Sequence, residues 1–344
     1  MEINIFKTVT IIDRENSLKY INKEGIAKLP KSITAIGKEA FYCCEQLEKI
    51  DLSECEKLGT IGDGAFKCCP SLKEVKLPKS ITAIGEEAFY SCKQLEKIDL
   101  SECEKLGTIG DGAFKCCPSL KEVKLPKSLT AIRKEAFYGC EQLEKIDLSE
   151  CEKLVIIGDA AFAAFWSSSL KEAKLPKSIT AIGKEAFYRC KQLEKIDLSE
   201  CEELETIGDG TFSECKSLKE VKLPKSITAI GESAFNSCGQ LEKINLSECD
   251  KLERIDDEAF KECEALNDSF LASYFKRKEE KKIEEKRLKE EKLEAERKLK
   301  AERIRKLKAE RKLKAEEERD KTAKIAGLIL LIMFISYLIL HFMI

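Results

Sequence analysis

The groups best able to do chemistry in this chain of 344 residues are its seventeen cysteines, as nucleophiles, metal ligands or disulfide partners. Their spacing decides among these roles. Cys44, Cys69, Cys92, Cys117, Cys140, Cys190, Cys215, Cys238 and Cys263 each stand three residues after a phenylalanine. Cys55, Cys103, Cys151, Cys201 and Cys249 recur in alternate turns, where Ser80, Ser128, Ser178 and Ser226 serve the intervening ones. Members of this second set are two repeats apart, roughly 10 Å, beyond disulfide reach. Neighbours in the first set come close enough to bond, but an odd total and a ladder without unique partners fit reduced thiols in a core. Oxidation at some positions and metal binding are the alternatives, and no C-x-x-C is matched by a second one. The single histidine, His341, lies in an apolar tail. With no nucleophile beside a base, catalysis is the least supported class of function and no cofactor is implied.

The elements that position these thiols repeat. Residues 58–80 and 106–128 are identical, and the chain aligns on itself with a period alternating between 25 and 23 residues. Such a period predicts a solenoid. "LPKS" begins at Leu29, Leu77, Leu125, Leu175 and Leu223, and the pattern I-G-x-x-A-F-x-x-C-x-x-L-x-x-I-x-L recurs around Phe41, Phe66, Phe89, Phe114, Phe137, Phe162, Phe187, Phe212, Phe235 and Phe260. In "LEKIDLSEC", ending at Cys55, two-residue alternation marks a short strand followed by a turn. One repeat cannot bury its own Leu, Ile and Phe, so the strands must stack in parallel and share a core, with Ala-Phe filling it from the returning side.

The A-F-x-x-C-x-x-L-x-x-I-x-L-P wording resembles the BspA-type leucine-rich repeat over roughly residues 29–266. The resemblance implies a curved α/β repeat solenoid used for protein contacts or adhesion, without enzymatic activity; the family includes cell-surface adhesins. Residues 1–28, with alternating "INIF" and "VTII", are expected to cap the first repeat.

On the strand face, one column reads Lys49, Glu74, Lys97, Glu122, Lys145, Glu172, Lys195, Glu220, Lys243, and the next reads Asp51, Lys76, Asp99, Lys124, Asp147, Lys174, Asp197, Lys222, Asn245. The sign flips at every rung, so the surface neutralises itself and serves stability and solubility, with recognition of a charged partner as the alternative. Two features break the monotony. Tyr42, Tyr90, Tyr138 and Tyr188 follow the core phenylalanine in alternate repeats and form an outer stripe, read as half-buried packing or as contact surface. In "AAFAAFWSSS", Ala160–Ser169, two residues are inserted, Phe165 takes the place of the column cysteine, and the sole tryptophan, Trp166, appears. Phe165 and Trp166 are the candidate anchors for an unknown protein partner. The competing expectation is a tolerated insertion whose rings fill the gap left by the missing cysteine.

Residues 267–324 form a charged rod, rich in helix formers and, from Lys276, free of Gly and Pro until the tail. Pairs such as Glu285 with Lys289, Glu294 with Lys298, Glu302 with Lys306 and Glu310 with Lys314 have the favourable i to i+4 order. Ile283, Leu288, Leu293, Leu299, Ile304, Leu307 and Leu313 keep no heptad, which favours a solitary helix over a coiled coil. Residues 276–320 hold about 20 Lys/Arg against about 14 Asp/Glu, interleaved instead of gathered into one field, so nucleic acid is not an expected partner. Ile325–Ile344 is uncharged and long enough to cross a bilayer as a helix, and it is expected to meet membrane lipid together with Arg319, Lys321 and Lys324. The start "MEINIFKTVTIIDREN" has no positive segment followed by an apolar one, so no secretory signal is expected, and a glycolipid-anchor signal lacks its small-residue cleavage site. The basic flank then places rod and solenoid in the cytosol. The sequence thus predicts a tail-anchored scaffold for protein binding, with a surface adhesin as the alternative.

Overall fold

The computed structural model describes residues 10–267 and 269–342. Two compact units divide it, Met1–Phe270 and Leu271–Ile344. The first is a solenoid with two rows of parallel strands. One row consists of three-residue strands such as Lys49–Asp51, Glu74–Lys76, Lys97–Asp99 and Glu122–Lys124, in register with Ile50 opposite Val75 and Val123 opposite Ile98. These are the strands anticipated in "LEKIDL". Their alternation is strict: Ile50 is buried between exposed Lys49 and Asp51.

A second row was not anticipated. Two-residue strands, among them Ala35–Ile36, Thr60–Ile61 and Ala83–Ile84, pair in parallel along the returning side. Each rung therefore closes with turns and a second short strand, not with an α-helix, and among the described residues before Ser269 the regular elements are short β-strands and the 3₁₀ turns Leu18–Tyr20 and Leu246–Glu248. Backbones approach closely between rungs: a Cβ at Gly110 would lie 2.6 Å from the carbonyl carbon of Gly85. Within residues 1–28, Ile11–Ile12 pairs with Ala35–Ile36 and Ile26–Ala27 pairs with Lys49–Ile50, so each row gains one rung there. The "INIF" run lies outside the described residues.

The core between the rows is a column of ten phenylalanines, Phe41 to Phe260, stacked with neighbouring centroids 5.0–5.5 Å apart and planes within 15°. All ten are buried. Burying each such ring stabilises the solenoid by about 1.5–3 kcal/mol, and the stacked geometry adds somewhat more.

The core thiols are structural donors. Cys69 Sγ donates to the Phe41 carbonyl at 3.0 Å, Cys92 to Phe66 at 3.1 Å and Cys117 to Phe89 at 3.2 Å, one rung back in each case. In the turns, Cys103 Sγ donates to the Pro78 carbonyl at 3.5 Å, while on the intervening rung Ser80 Oγ donates to Leu58 at 2.6 Å. A buried carbonyl without a donor is costly, and a small thiol or hydroxyl satisfies it without enlarging the core. Burial pushes the Cys69 and Cys117 thiols up to about 12 and the Cys103 thiol to about 11, which suppresses the nucleophilic thiolate.

The helix α1 (Ser269–Phe342), which makes up the described part of the second unit, is 74 residues and about 110 Å long at 1.5 Å per residue. It runs without interruption through the 324/325 boundary, so rod and apolar tail are one element. Glu294–Lys298 and Glu302–Lys306 form ion pairs at 2.8 and 3.0 Å. Part of α1 is long and apolar enough to cross a membrane. The side chain of His341 lies outside the described residues.

Candidate functional site

The strand face is self-compensating. Lys49 lies 3.6 Å from Glu74, Lys76 3.5 Å from Asp51, Lys145 3.1 Å from Glu172 and Lys222 2.9 Å from Asp197. All are half exposed to water, so solvent screening leaves each pair a weak contributor to stability. Ser53 Oγ donates to Asp51 Oδ1 at 2.6 Å, and the same turn recurs at Ser101, Ser149 and Ser199. The Ser53 hydroxyl, helped by Lys76, holds the Asp51 carboxyl below its ordinary value. Among the described residues, no three His, Cys, Asp or Glu side chains converge to hold a metal ion.

On the opposite side, the tyrosine stripe is half buried at every position. Each ring carries a cation on its face: Arg14 over Tyr42 at 4.9 Å, Lys67 over Tyr90 at 5.0 Å, Lys115 over Tyr138 at 5.2 Å and Arg189 over Tyr188 at 4.8 Å. The residue after the core phenylalanine alternates between Tyr and Lys along the first five copies, so each of Lys67 and Lys115 covers the tyrosine of the next rung and pairs with Glu87 or Glu135. The result is an outer seam of packed tyrosine and cation.

The seam changes at "AAFAAFWSSS". Elsewhere the residue before the column cysteine adopts a left-handed turn, as in Cys116 (φ 60°) and Arg189 (φ 60°), and the next side chain enters the core; Ala164 makes no such turn. Phe165 therefore does not take the cysteine's place in the core, contrary to the expectation from sequence. It turns outward, 38% exposed, and meets Tyr138 edge-on at 4.5 Å. Gly139 makes room for it: with φ +72° and no side chain, it leaves a space in which a Cβ would stand 2.6 Å from Phe165 Cε2. Ser168 is the residue that goes inward, next to Cys190.

Trp166 is 77% exposed, so it does not fill a gap either. Its neighbours are fixed. Arg189 Nη1 donates to the Phe165 carbonyl at 2.9 Å, and Arg189 Nε and Nη2 donate to Glu214 Oε1 at 3.1 and 3.0 Å, where Tyr188 also donates at 2.9 Å. Partial burial opposes ionisation of Glu214, but Arg189 and Tyr188 outweigh it and hold the carboxyl below its usual value. On the other flank, Leu170 N–H donates to Ser168 Oγ at 3.0 Å and Ser169 N–H to the Glu141 carbonyl at 2.8 Å. The loop thus holds a large aromatic in water on an anchored backbone. Arg189, Glu214 and Gly139 were not singled out from sequence; the signal available was their departure from the Cys/Ser pattern of that column.

A family model described as "BspA type Leucine rich repeat region (6 copies)" matches residues 2–108, 107–203 and 199–297. No curated protein matches the chain. Among solved structures, a leucine-rich cell surface protein from Faecalibacterium prausnitzii is 27% identical, covering 75% of this chain and 82% of that one with a TM-score of 0.36. A leucine-rich repeat protein from Bacteroides ovatus is 28% identical over 75% and 78% of the two chains, TM-score 0.45. The pneumococcal vaccine antigen PcpA is 23% identical over 73% and 75%, TM-score 0.43. The three family matches run without a gap through the described strands, the phenylalanine column and both cysteine columns. The chain belongs to the BspA-type leucine-rich repeat family.

Proposed function

We propose that this chain is a membrane-tethered scaffold that captures a protein partner through Trp166 and Phe165, with the tyrosine seam of Tyr42, Tyr90, Tyr138 and Tyr188 as flanking surface, and that it performs no catalysis. The observation that carries this reading is the anchored exposure of Trp166: a large aromatic held in water by fixed neighbours loses little conformational freedom on binding. The apolar part of α1 supports a bilayer anchor at Ile325–Ile344, with the basic flank against anionic lipid. In this reading the anchor is a C-terminal tail, residues 267–324 are a strut, and the solenoid faces the cytosol. Proximity labelling from the solenoid identifies the partner. Trp166→Ala is then expected to weaken its capture by about 2 kcal/mol, about 30-fold, with thermal unfolding unchanged. Equal binding by wild type and variant would remove Trp166 from the interface.

A second reading keeps the solenoid outside the cell as an adhesin. It is favoured by the description of the Faecalibacterium neighbour as a cell surface protein. Protease treatment of intact cells or microsomes carrying an N-terminal tag separates the two, and a tag protected inside microsomes overturns the cytosolic orientation.

A further inference from the structure

Three cysteines belong to neither buried column: Cys43, Cys68 and Cys116 occupy the left-handed position that precedes the column cysteine, with φ of 53°, 57° and 60°. This position faces outward. Cys43 is exposed, and Cys68 and Cys116 are half exposed. Rungs are held in register there, Cys43 N–H donating to the Lys67 carbonyl at 2.8 Å and Cys68 N–H to the Tyr90 carbonyl at 2.7 Å, so Cys43 and Cys68 are direct neighbours. Adjacent positions on parallel rungs lie about 5 Å apart, inside the range a disulfide requires. Their side chains meet: partial burial, then the charge and side-chain hydrogen bond of Cys43, raise the Cys68 thiol. Cys116 has no such partner, because its column neighbours are Ser91 and Gly139.

We propose that Cys43 and Cys68 form an oxidisable dithiol that a peroxide converts into a disulfide between adjacent rungs. The more exposed Cys43, as thiolate, attacks a peroxide oxygen; the O–O bond breaks, Cys43 becomes a sulfenic acid, and hydroxide leaves and is protonated to water. Cys68 Sγ, as thiolate, then attacks Cys43 Sγ, forming the S–S bond and expelling the second oxygen as water. Two thiols lose two electrons and two protons, and one hydrogen peroxide becomes two waters. The bond staples two neighbouring rungs near the start of the solenoid, and a dithiol reductant reverses it. Cys69 takes no part, since its thiol points at the Phe41 carbonyl and burial holds its proton.

The test uses the full chain in detergent micelles treated with hydrogen peroxide, then alkylated, digested with trypsin and sequenced by mass spectrometry. The expected product is a disulfide-linked peptide joining residues 39–49 to 68–73, with alkylation of Cys43 falling about tenfold and returning after dithiothreitol. Cys43→Ser and Cys68→Ser should each abolish it while leaving the fold intact, because Ser91 and Ser237 occupy the same position in other rungs with φ of 58°. A linked peptide that persists in Cys43→Ser would place the bond at Cys44 and Cys69 and overturn the proposal. So would oxidation of Cys43 to sulfinic acid without a cross-link, or a bond joining two chains.

Discussion

Gly139→Ala tests whether the seat of the Trp166 loop is built as described. Alanine at φ +72° costs about 1–2 kcal/mol relative to glycine, since the left-handed region crowds Cβ against the following carbonyl. The new Cβ would also stand 2.6 Å from Phe165 Cε2, so the ring must leave its contact with Tyr138. Losing that edge-on pair removes about 0.5–1.5 kcal/mol more. The expected sum is about 1.5–3.5 kcal/mol of unfolding free energy, measured by urea titration of the full chain in micelles and followed by circular dichroism. The fold should survive, because Cys116 and Arg189 hold the same conformation with larger side chains. With Phe165 displaced, Trp166 should gain nanosecond mobility, read as lower fluorescence anisotropy of this sole tryptophan. In a Phe165→Ala background the same substitution should cost only its backbone share, about 1–2 kcal/mol. Stability unchanged within about 0.5 kcal/mol, with anisotropy unchanged, would refute the seat and the outward turn of Phe165 with it.

Phe114→Ala, in the middle of the stacked column, should lower stability by about 3–5 kcal/mol in the same titration, whereas Trp166→Ala should leave it nearly unchanged, a contrast that separates buried from exposed aromatics. The pH dependence follows from the depressed carboxyls of Asp51 and Asp147, held down first by the hydroxyls of Ser53 and Ser149. A carboxyl with a lowered folded-state pKa adds stability above its unfolded value near 4 and loses it as pH falls through the folded value. Melting temperature should therefore be flat from neutral pH down to about 5 and then drop, and the drop should shrink in Ser53→Ala with Ser149→Ala.

The sequence by itself determined what repeats. A fixed period sets which residues share a column, and a shared column in stacked rungs means contact between successive copies. For that reason the phenylalanine stack, the thiol columns and the alternating pairs of Lys49, Glu74 and their successors were legible as strings. The long charged helix was legible too, since helix formers and i to i+4 pairs are local properties. Three things were decided by the tertiary structure alone. The second row of strands, in Ala83–Ile84 and its equivalents, is too short to show alternation, and its hydrogen bonds exist only between rungs. The role of Cys69 as donor to the Phe41 carbonyl depends on which backbone group of the preceding rung is left facing the core. Most of all, the direction of Phe165 was not inherited from its column, because the repeat specifies side-chain direction only while its backbone turns are kept. At Ala164 the left-handed turn is lost, and the outcome passed to long-range partners: the missing Cβ of Gly139, the ring of Tyr138 and the guanidinium of Arg189.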